Sequence, residues 1–308
     1  MSVKTATVAR VGAQEVSLTN LDKVYWPEQG YAKRDLVDYY ASMASYILPH
    51  LKDRPLSLVR YPEGIKSEGF YQKDAPSGMP AWVNLAPIMS KEKGSYINFI
   101  LCQNVETLVW MANSGAIEVN PWLSRYRTLD NPDFAVFDID PSEGTGWEDV
   151  KKVAKLVKSL LDEWKLEGYP KVSGATGLHI YVPILPKYSY KDVSKFVGLG
   201  ASLIRGAFPD LVTLERKVKD RTGLVYIDYP QNARGQTISA VYGVRASNGA
   251  PVSMPVTWDE LGEDSPVHTR SWNIKTALER ARSVGDIFAP VLTSPQDIDH
   301  CLRLSPPG

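Results

Sequence analysis

The sequence predicts an α/β (α+β) fold, and three observations predict it. Phe134 to Asp140 has the period-two pattern of a strand. Two stripes then recur at helical spacing: Val150, Val153, Ala154, Val157, Leu160, Leu161 and Trp164, and later Val193, Phe196, Val197, Gly200, Leu203 and Ile204. Between them KVSGATGLHIYVPI reads as two short strands around a glycine-rich turn. Strand, helix, strands, helix is the order of an α/β sandwich unit. With 308 residues, 44% of them hydrophobic, the chain has ample core for one large domain or two ordinary ones.

In chain order, Val8, Val11, Val16 and Leu18 alternate weakly, as an edge hairpin around Gly12 does. Leu36, Val37, Tyr40, Met43, Ala44 and Ile47 mark a helix that Pro49 is expected to stop. Lys33 and Arg34 stand at its start, where cations oppose the helix dipole and are better suited to gripping a phosphate. Leu56 to Tyr61 reads as a strand closed by a Pro-Glu-Gly turn. Phe70 and Tyr71 would point to opposite faces of a strand, so one of them is expected to face solvent or to stack. The proline-rich APSGMPAWVNLAPI reads as a surface crossing. Val105, Leu108, Val109 and Ala112 mark a helix ended by Gly115 as C-cap.

After the strand at 134–140, Thr145 and Glu148 form a capping box for a helix whose Lys-rich outer face is expected to be solvated. The next helix runs from about Asp192 to Ala207. LERKVKDRTGLVYIDYPQNARGQTISAVYGVRA supplies a basic loop and two more strands, the second ending at Arg245. A short helix at 274–282 and a proline-rich tail close the chain. No repeat, low-complexity tract or linker is visible, so a single unit with two lobes is the simplest organisation.

Lysine plus arginine and aspartate plus glutamate both number 35, so a nucleic-acid partner has to be held by local rather than global charge. Cys102 and Cys301 are too far apart in sequence to suggest a metal motif or a disulfide framework. The start lacks an apolar signal core, and no stretch approaches roughly 18 consecutive apolar residues. A cytoplasmic protein with no membrane contact is expected. Eight Trp and sixteen Tyr suit an aromatic core or stacking platforms for bases or sugars.

The chemistry concentrates at PDFAVFDIDPSEG, residues 132–144. Alternation puts Phe134, Val136, Asp138 and Asp140 on one face, which therefore turns from apolar to acidic at the strand's end. Pro141 cannot continue the ladder, and Ser142-Glu143-Gly144 reads as a turn. The pair suits a solvated strand end, or a divalent cation with hard oxygen ligands such as magnesium or manganese. Asp228 ends another apolar run, where an uncompensated buried charge costs on the order of several kcal/mol. Three acids from two strands can hold one or two divalent ions and support phosphoryl transfer. In SGATGLH, glycines let backbone N–H groups approach an anion, and Ser173 and His179 can donate to phosphate oxygens. Arg245 can clamp a triphosphate in bidentate fashion. The loop 216–221 holds four cations and can steer a nucleic-acid backbone.

Together these stretches resemble the polymerase domain of bacterial ligase D, in the archaeo-eukaryotic primase superfamily. LTNLDKVYWP, RPLSLVRYPEG, DFAVFDIDPSEG, SGATGLH, VYIDYPQNARGQT and MPVTWDEL carry the resemblance, in order. It implies a two-lobed primase-polymerase fold with an RRM-like catalytic sheet flanked by helices. The lobes would cover about 1–130 and about 131–300, with no ligase or nuclease domain. The implied activity is a template-dependent nucleotidyltransferase that binds 5′-phosphorylated DNA ends. It would fill gaps or extend primers with NTP or dNTP, favouring ribonucleotides, in double-strand break repair by non-homologous end joining. Two divalent ions are implied, Mn2+ in preference to Mg2+. So are Ku and a separate DNA ligase as partners, a nucleoid-associated setting, and a dimer on synapsed ends.

By this resemblance Asp138, Asp140 and Asp228 are catalytic, metal-binding acids. Ser173, Thr176, His179, Asn120 and Arg245 bind the nucleotide. Asn20, Lys23 and Lys33 grip the 5′-phosphate, and Arg60, Phe70, Tyr71 and Arg221 contact DNA. Three positions depart from the family pattern. Thr176 replaces a lysine, Asn120 a histidine and Gly243 a serine. Three other readings stand beside this one: a DNA-end-binding or synapsis module with vestigial catalysis, a stand-alone replicative primase, and a glycosidase using paired carboxylates.

Overall fold

Weak alternation near the N-terminus does make a hairpin. Strands β1 (Ala6–Val11) and β2 (Gln14–Thr19) pair antiparallel around Gly12, whose φ of +54° is the left-handed turn conformation that favours glycine. The computed structural model describes residues 6–90 and 92–304; the Pro-Pro-Gly with which the proline-rich tail ends lies outside the described residues. Chain contacts divide it into two units. The first comprises Met1–Trp122, Thr237–Ser253 and Trp272–Gly285, the second Leu123–Gln236, Met254–Ser271 and Asp286–Gly308. The units are therefore not sequential halves divided near residue 130.

In the first unit, β3 (Val24–Trp26) and β4 (Tyr31–Ala32) lead into helix α1 (Lys33–Ser42). The single helix read up to Pro49 is two helices. The chain breaks at Met43 (φ −86°, ψ 0°), and Pro49 lies inside α2 (Ala44–Leu51) instead of stopping it. Its missing N–H forgoes one i→i−4 bond, a loss that a helix ending two residues later bears without breaking at that point. The apolar stripe is correct: Leu36, Tyr40, Met43 and Ile47 are fully buried.

Strand β5 (Pro55–Arg60) organises this unit's sheet. It pairs with β6 (Phe70–Gln72), with β8 (Ser95–Leu101) and with β9 (Ala116–Pro121). The proline-rich "crossing" is in part a strand, β7 (Asn84–Ser90), paired along its length with β8. It ends the strand order β6-β5-β8-β7, and an edge is where a strand tolerates Pro87. Helix α3 (Val105–Asn113) is capped by the Asn104 side chain, which accepts from the Thr107 N–H at 3.0 Å, and Gly115 follows at φ +83°.

The second unit is built on a five-stranded sheet in the order β11-β12-β10-β14-β13. Its centre is β10 (Phe134–Asp140), flanked antiparallel by β12 (Leu178–Pro183) and β14 (Val225–Ile227). Strand β11 (Tyr169–Val172) lies outside β12, and β13 (Val212–Thr213), which alternation was too short to reveal, pairs parallel to β14. Helices α4 (Trp147–Glu163) and α5 (Tyr190–Ala207) cover the face of Ala135, Phe137 and Ile139. Phe137 meets Phe196 edge-on at 6.2 Å, and Gly200 leaves room for the Phe137 ring.

Helix α4 starts one residue later than the Thr145/Glu148 box. Asp149, not Glu148, reaches back to the Gly146 N–H (3.2 Å), because Thr145 is spent on the preceding turn with Ser142. Its outer face is not wholly solvated either. Lys151 is buried and donates to the Gly262 carbonyl at 3.2 Å. The strand read as ending at Arg245 is an irregular run, because Tyr242 takes φ +61° and leaves the extended region. Helix α6 (Ala277–Val284) begins later than Ile274, which is buried ahead of it.

Candidate active site

The face of β10 opposite the helices changes character along its length, as alternation requires. Phe134 packs on Tyr181 (5.0 Å), which meets Phe288 edge-on at 5.1 Å, and Val136 is fully buried. Two residues on, the face becomes acidic. Asp138 stands opposite His179 of β12, and His179 Nε2 lies 3.3 Å from Asp138 Oδ1. On the other side the Asp228 N–H donates to the Asp138 carbonyl at 2.8 Å, one step beyond the Ile139–Ile227 pair. His179, Asp138 and Asp228 therefore form one row across three adjacent strands, since directly opposed residues share a face. Lys171 of β11, fully buried, stands opposite His179 and extends the row. Asp140 leads the next row, opposite Tyr226 of β14.

The segment after Asp228 is clasped to β10. Asn232 is fully buried; its Oδ1 accepts from the Val136 N–H and its Nδ2 donates to the Val136 carbonyl, both at 2.8 Å. That side-chain amide continues the ladder that β14 leaves off, and it holds the Asp228 backbone in register.

The SGATG turn packs against the acidic end. Gly177 is required there: a Cβ would lie 2.4 Å from the Ile139 carbonyl and 2.6 Å from Asp140 Oδ1. Gly174 takes φ +73°. The Ser173 hydroxyl accepts from the N–H groups of Ala175 (3.1 Å) and Gly177 (3.0 Å), which leaves its own proton to donate. Thr176 is exposed on the turn. Arg270 Nε, from a loop distant in sequence, donates to the Ala175 carbonyl at 3.1 Å.

Arg221 lies over the Tyr226 ring, its guanidinium carbon 3.5 Å from the centroid, and its Nε donates to the Glu215 carbonyl at 2.7 Å. Burial and the neighbouring Asp228 carboxylate push the Tyr226 hydroxyl up from its ordinary value. The turn after β10 holds this basic loop: the Glu143 backbone carbonyl accepts from the Gly223 N–H at 2.7 Å.

Asp138, Asp140 and Asp228 offer the hard oxygen donors that suit a divalent ion. Their donor chemistry fits such a group. As oriented, Asp138 faces His179, and Asp228 Oδ1 accepts from the Gln231 N–H at 3.2 Å. Among the described residues no group of three or more His, Cys, Asp or Glu side chains is gathered around an ion-sized space.

The remaining candidates belong to the first unit. Lys33 is buried and donates to the Thr19 carbonyl at 2.6 Å. Burial, then the charges of Lys23 and Arg60, push its ammonium down to about 8. Two further cations close enough to perturb Lys33 make a place for an anion. Lys23 is also paired with Glu63 at 2.7 Å, and its N–H donates to the Asn20 carbonyl at 3.1 Å. Asn20 itself is left-handed (φ +52°), which asparagine tolerates. Arg60 is held by the Ser114 carbonyl and by Gln72, and its guanidinium lies 5.3 Å from the Phe70 centroid. Phe70 and Tyr71 are both exposed, at 46% and 51%, where sequence reasoning expected one; β6 is a short edge strand. Tyr71 also shares a 3.0 Å hydrogen bond with Thr237.

Arg245 Nε lies 3.2 Å from Glu118 Oε1, which also accepts from the Ala246 N–H at 3.0 Å. Glu118 shares β9 with Asn120, which is buried opposite Ser57. Gly243 has a local reason, since a Cβ there would sit 2.9 Å from the Ala240 carbonyl. Tyr40 fixes the same turn: its hydroxyl donates to the Ile117 carbonyl (2.8 Å) and accepts from the Val244 N–H (3.2 Å). Sequence reasoning assigns no role in the site to Glu118, Tyr40, Asn232 or Arg270. Glu118 lies two residues before Asn120, Tyr40 on the apolar stripe of its helix and Asn232 within VYIDYPQNARGQT, whereas Arg270 lies in none of the motifs.

The family model for LigD, primase-polymerase domain, matches residues 32–288. The multifunctional non-homologous end joining protein LigD of Mycolicibacterium smegmatis is 33% identical over 280 residues, covering 90% of this chain and 36% of that protein. The bifunctional non-homologous end joining protein LigD of Bacillus subtilis is 32% identical over 284 residues, covering 92% and 45%. The chain thus spans less than half the length of these relatives. Among solved structures, the polymerase domain from Mycobacterium tuberculosis ligase D in complex with DNA matches with a TM-score of 0.83 and 28% identity, over 92% of this chain and 100% of that one. On that match, sustained over most of its length, the chain belongs to the LigD primase-polymerase family, nucleotidyltransferase domains of non-homologous end joining proteins.

Proposed function

We propose that this chain is a template-dependent nucleotidyltransferase that binds 5′-phosphorylated DNA ends, and fills gaps or extends primers in double-strand break repair, with ribonucleotides preferred. The observation that carries this reading is the cross-strand row His179–Asp138–Asp228 with Asp140 beside it, at the end of an otherwise apolar strand. Family membership and the likeness to a polymerase domain in complex with DNA support it.

Asp138, Asp140 and Asp228 would hold two divalent ions, Mn2+ in preference to Mg2+. Such ions neutralise developing charge on a phosphoryl group and lower the pKa of an attacking hydroxyl. The chain's own residues do the rest. His179, whose Nε2 lies 3.3 Å from Asp138 Oδ1, positions the Asp138 carboxylate. The Ser173 proton and the Arg245 guanidinium bind phosphate oxygens, with Glu118 holding Arg245 at its working angle. Thr176 and Asn120 take part in nucleotide binding. Asn20, Lys23 and Lys33 grip the 5′-phosphate, Arg60, Phe70 and Tyr71 the template fold, and Arg221 the primer end. Ku, a separate ligase, a nucleoid setting and a dimer on synapsed ends complete the reading.

The test is extension of a primed template with ribonucleotides and manganese. Wild type should extend, and Asp138→Ala should lose at least about a hundredfold in rate. Equal extension by both proteins would sink the reading.

A further inference from the structure

We propose, on the nucleotidyltransferase reading above, that Arg270 is a nucleotide-binding residue that brings to the SGATG turn the positive charge the turn itself lacks, contacting the phosphates of the incoming nucleotide.

The turn Ser173 to Gly177 carries no charged side chain, and its exposed member, Thr176, is neutral. Gly177 nevertheless fixes it against the strand end that carries Asp140. A triphosphate approaching three carboxylates needs compensating cations on its other side. Arg270 is hydrogen-bonded to this turn. Its Nε donates to the Ala175 carbonyl at 3.1 Å, next to Thr176. Its guanidinium makes no other hydrogen bond or ion pair with the described residues, so the four N–H donors on its two terminal nitrogens remain to be used.

An exposed arginine is usually just solvated, but this one is held from both ends of its loop. Trp147 at the start of α4 donates from Nε1 to the Val267 carbonyl at 2.7 Å, and Val267 itself is buried. The His268 N–H donates to Ser271 Oγ at 2.8 Å and closes the loop around Arg270. The guanidinium is thus tethered through Nε with its remaining fork presented beside the turn, the geometry in which arginine grips phosphate oxygens two at a time.

The experiment measures binding of ATP and of adenosine, each with manganese, to the whole chain as wild type, Arg270→Ala and Arg270→Ala/Thr176→Lys. Primer extension and binding of 5′-phosphorylated gapped DNA are measured alongside. Loss of Arg270 should weaken ATP about tenfold and raise the KM for the incoming nucleotide similarly. Adenosine, which has no phosphate, should be affected by less than about twofold, and gapped-DNA binding should be unchanged. Thr176→Lys should restore most of the ATP affinity by placing a cation on the same turn. Unchanged ATP affinity overturns the assignment. So do equal losses for ATP and adenosine, which would mark Arg270 as a structural prop of the turn, and a failure of Thr176→Lys to restore binding. If wild type neither binds ATP nor extends a primer, the activity reading itself falls; if it does both and Arg270→Ala matches it, only the Arg270 assignment falls.

Discussion

On the proposed reading, in which Lys33 grips the 5′-phosphate, a single buried cation would make end recognition depend on pH. Burial and the charges of Lys23 and Arg60 bring its ammonium to about 8, so it is charged below that value and neutral above it. The preference for a 5′-phosphorylated over a 5′-hydroxyl end should therefore shrink as pH rises through and beyond 8, since a bound phosphate itself favours the charged form and shifts the loss upward. Stability moves the other way. Between about 8 and 10.5 the unfolded chain keeps a proton that the folded chain has lost, so the Lys33 contribution makes the fold more stable as pH rises. Competition binding of the two ends from pH 7 to 9.5 checks this, with Lys33→Met as the control that should flatten the difference; a constant preference in wild type would contradict it. Residues of this kind differ in how legible they were. Asp138 and Asp140 stood out because a carboxylate in period two with Phe134 and Val136 breaks an apolar face. Arg270 and Glu118 were hidden, because each meets its partner from a segment roughly a hundred residues away.

At the scale of elements, the acidic row depends on register, and register depends on what borders β10. After the Asp228 N–H, which still donates to the Asp138 carbonyl, the backbone leaves β10, and Asn232 takes over with two hydrogen bonds to Val136. Asn232→Ala would leave a buried N–H and a buried carbonyl unpaired, at about 2–4 kcal/mol of stability. Urea unfolding measures it, and a loss under about 1 kcal/mol would mean that Val136 finds other partners. Helices α4 and α5 and strands β10, β11 and β12 were readable because their apolar residues follow one period over several turns or pleats. Strand β7 was not, since Pro87 and the prolines just before the strand imitate a loop until its edge position is known. The run through Tyr242 misled in the opposite sense: its apolar residues are buried for packing, while a left-handed backbone at Tyr242 keeps them from forming a strand.

For the whole molecule, zero net charge leaves recognition of a polyanion to local clusters, and the two units carry different ones. The first gathers Lys23, Lys33 and Arg60; the second carries His179 beside Asp138, Arg221 over the Tyr226 ring and Arg270 on the SGATG turn. The first unit also recruits Thr237–Ser253, with Arg245, from beyond the acidic sheet in sequence, which no reading of consecutive segments foretells. On the proposed reading the labour is divided: end binding should survive the loss of an acid, and chemistry should not. The most direct measurement is ribonucleotide incorporation into a 5′-phosphorylated gap with manganese by wild type and Asp228→Asn, with binding of the same gapped DNA measured in parallel. Asp228→Asn should lower incorporation by about a hundredfold or more while leaving gap binding within about twofold. Incorporation at the wild-type rate by Asp228→Asn would contradict the account.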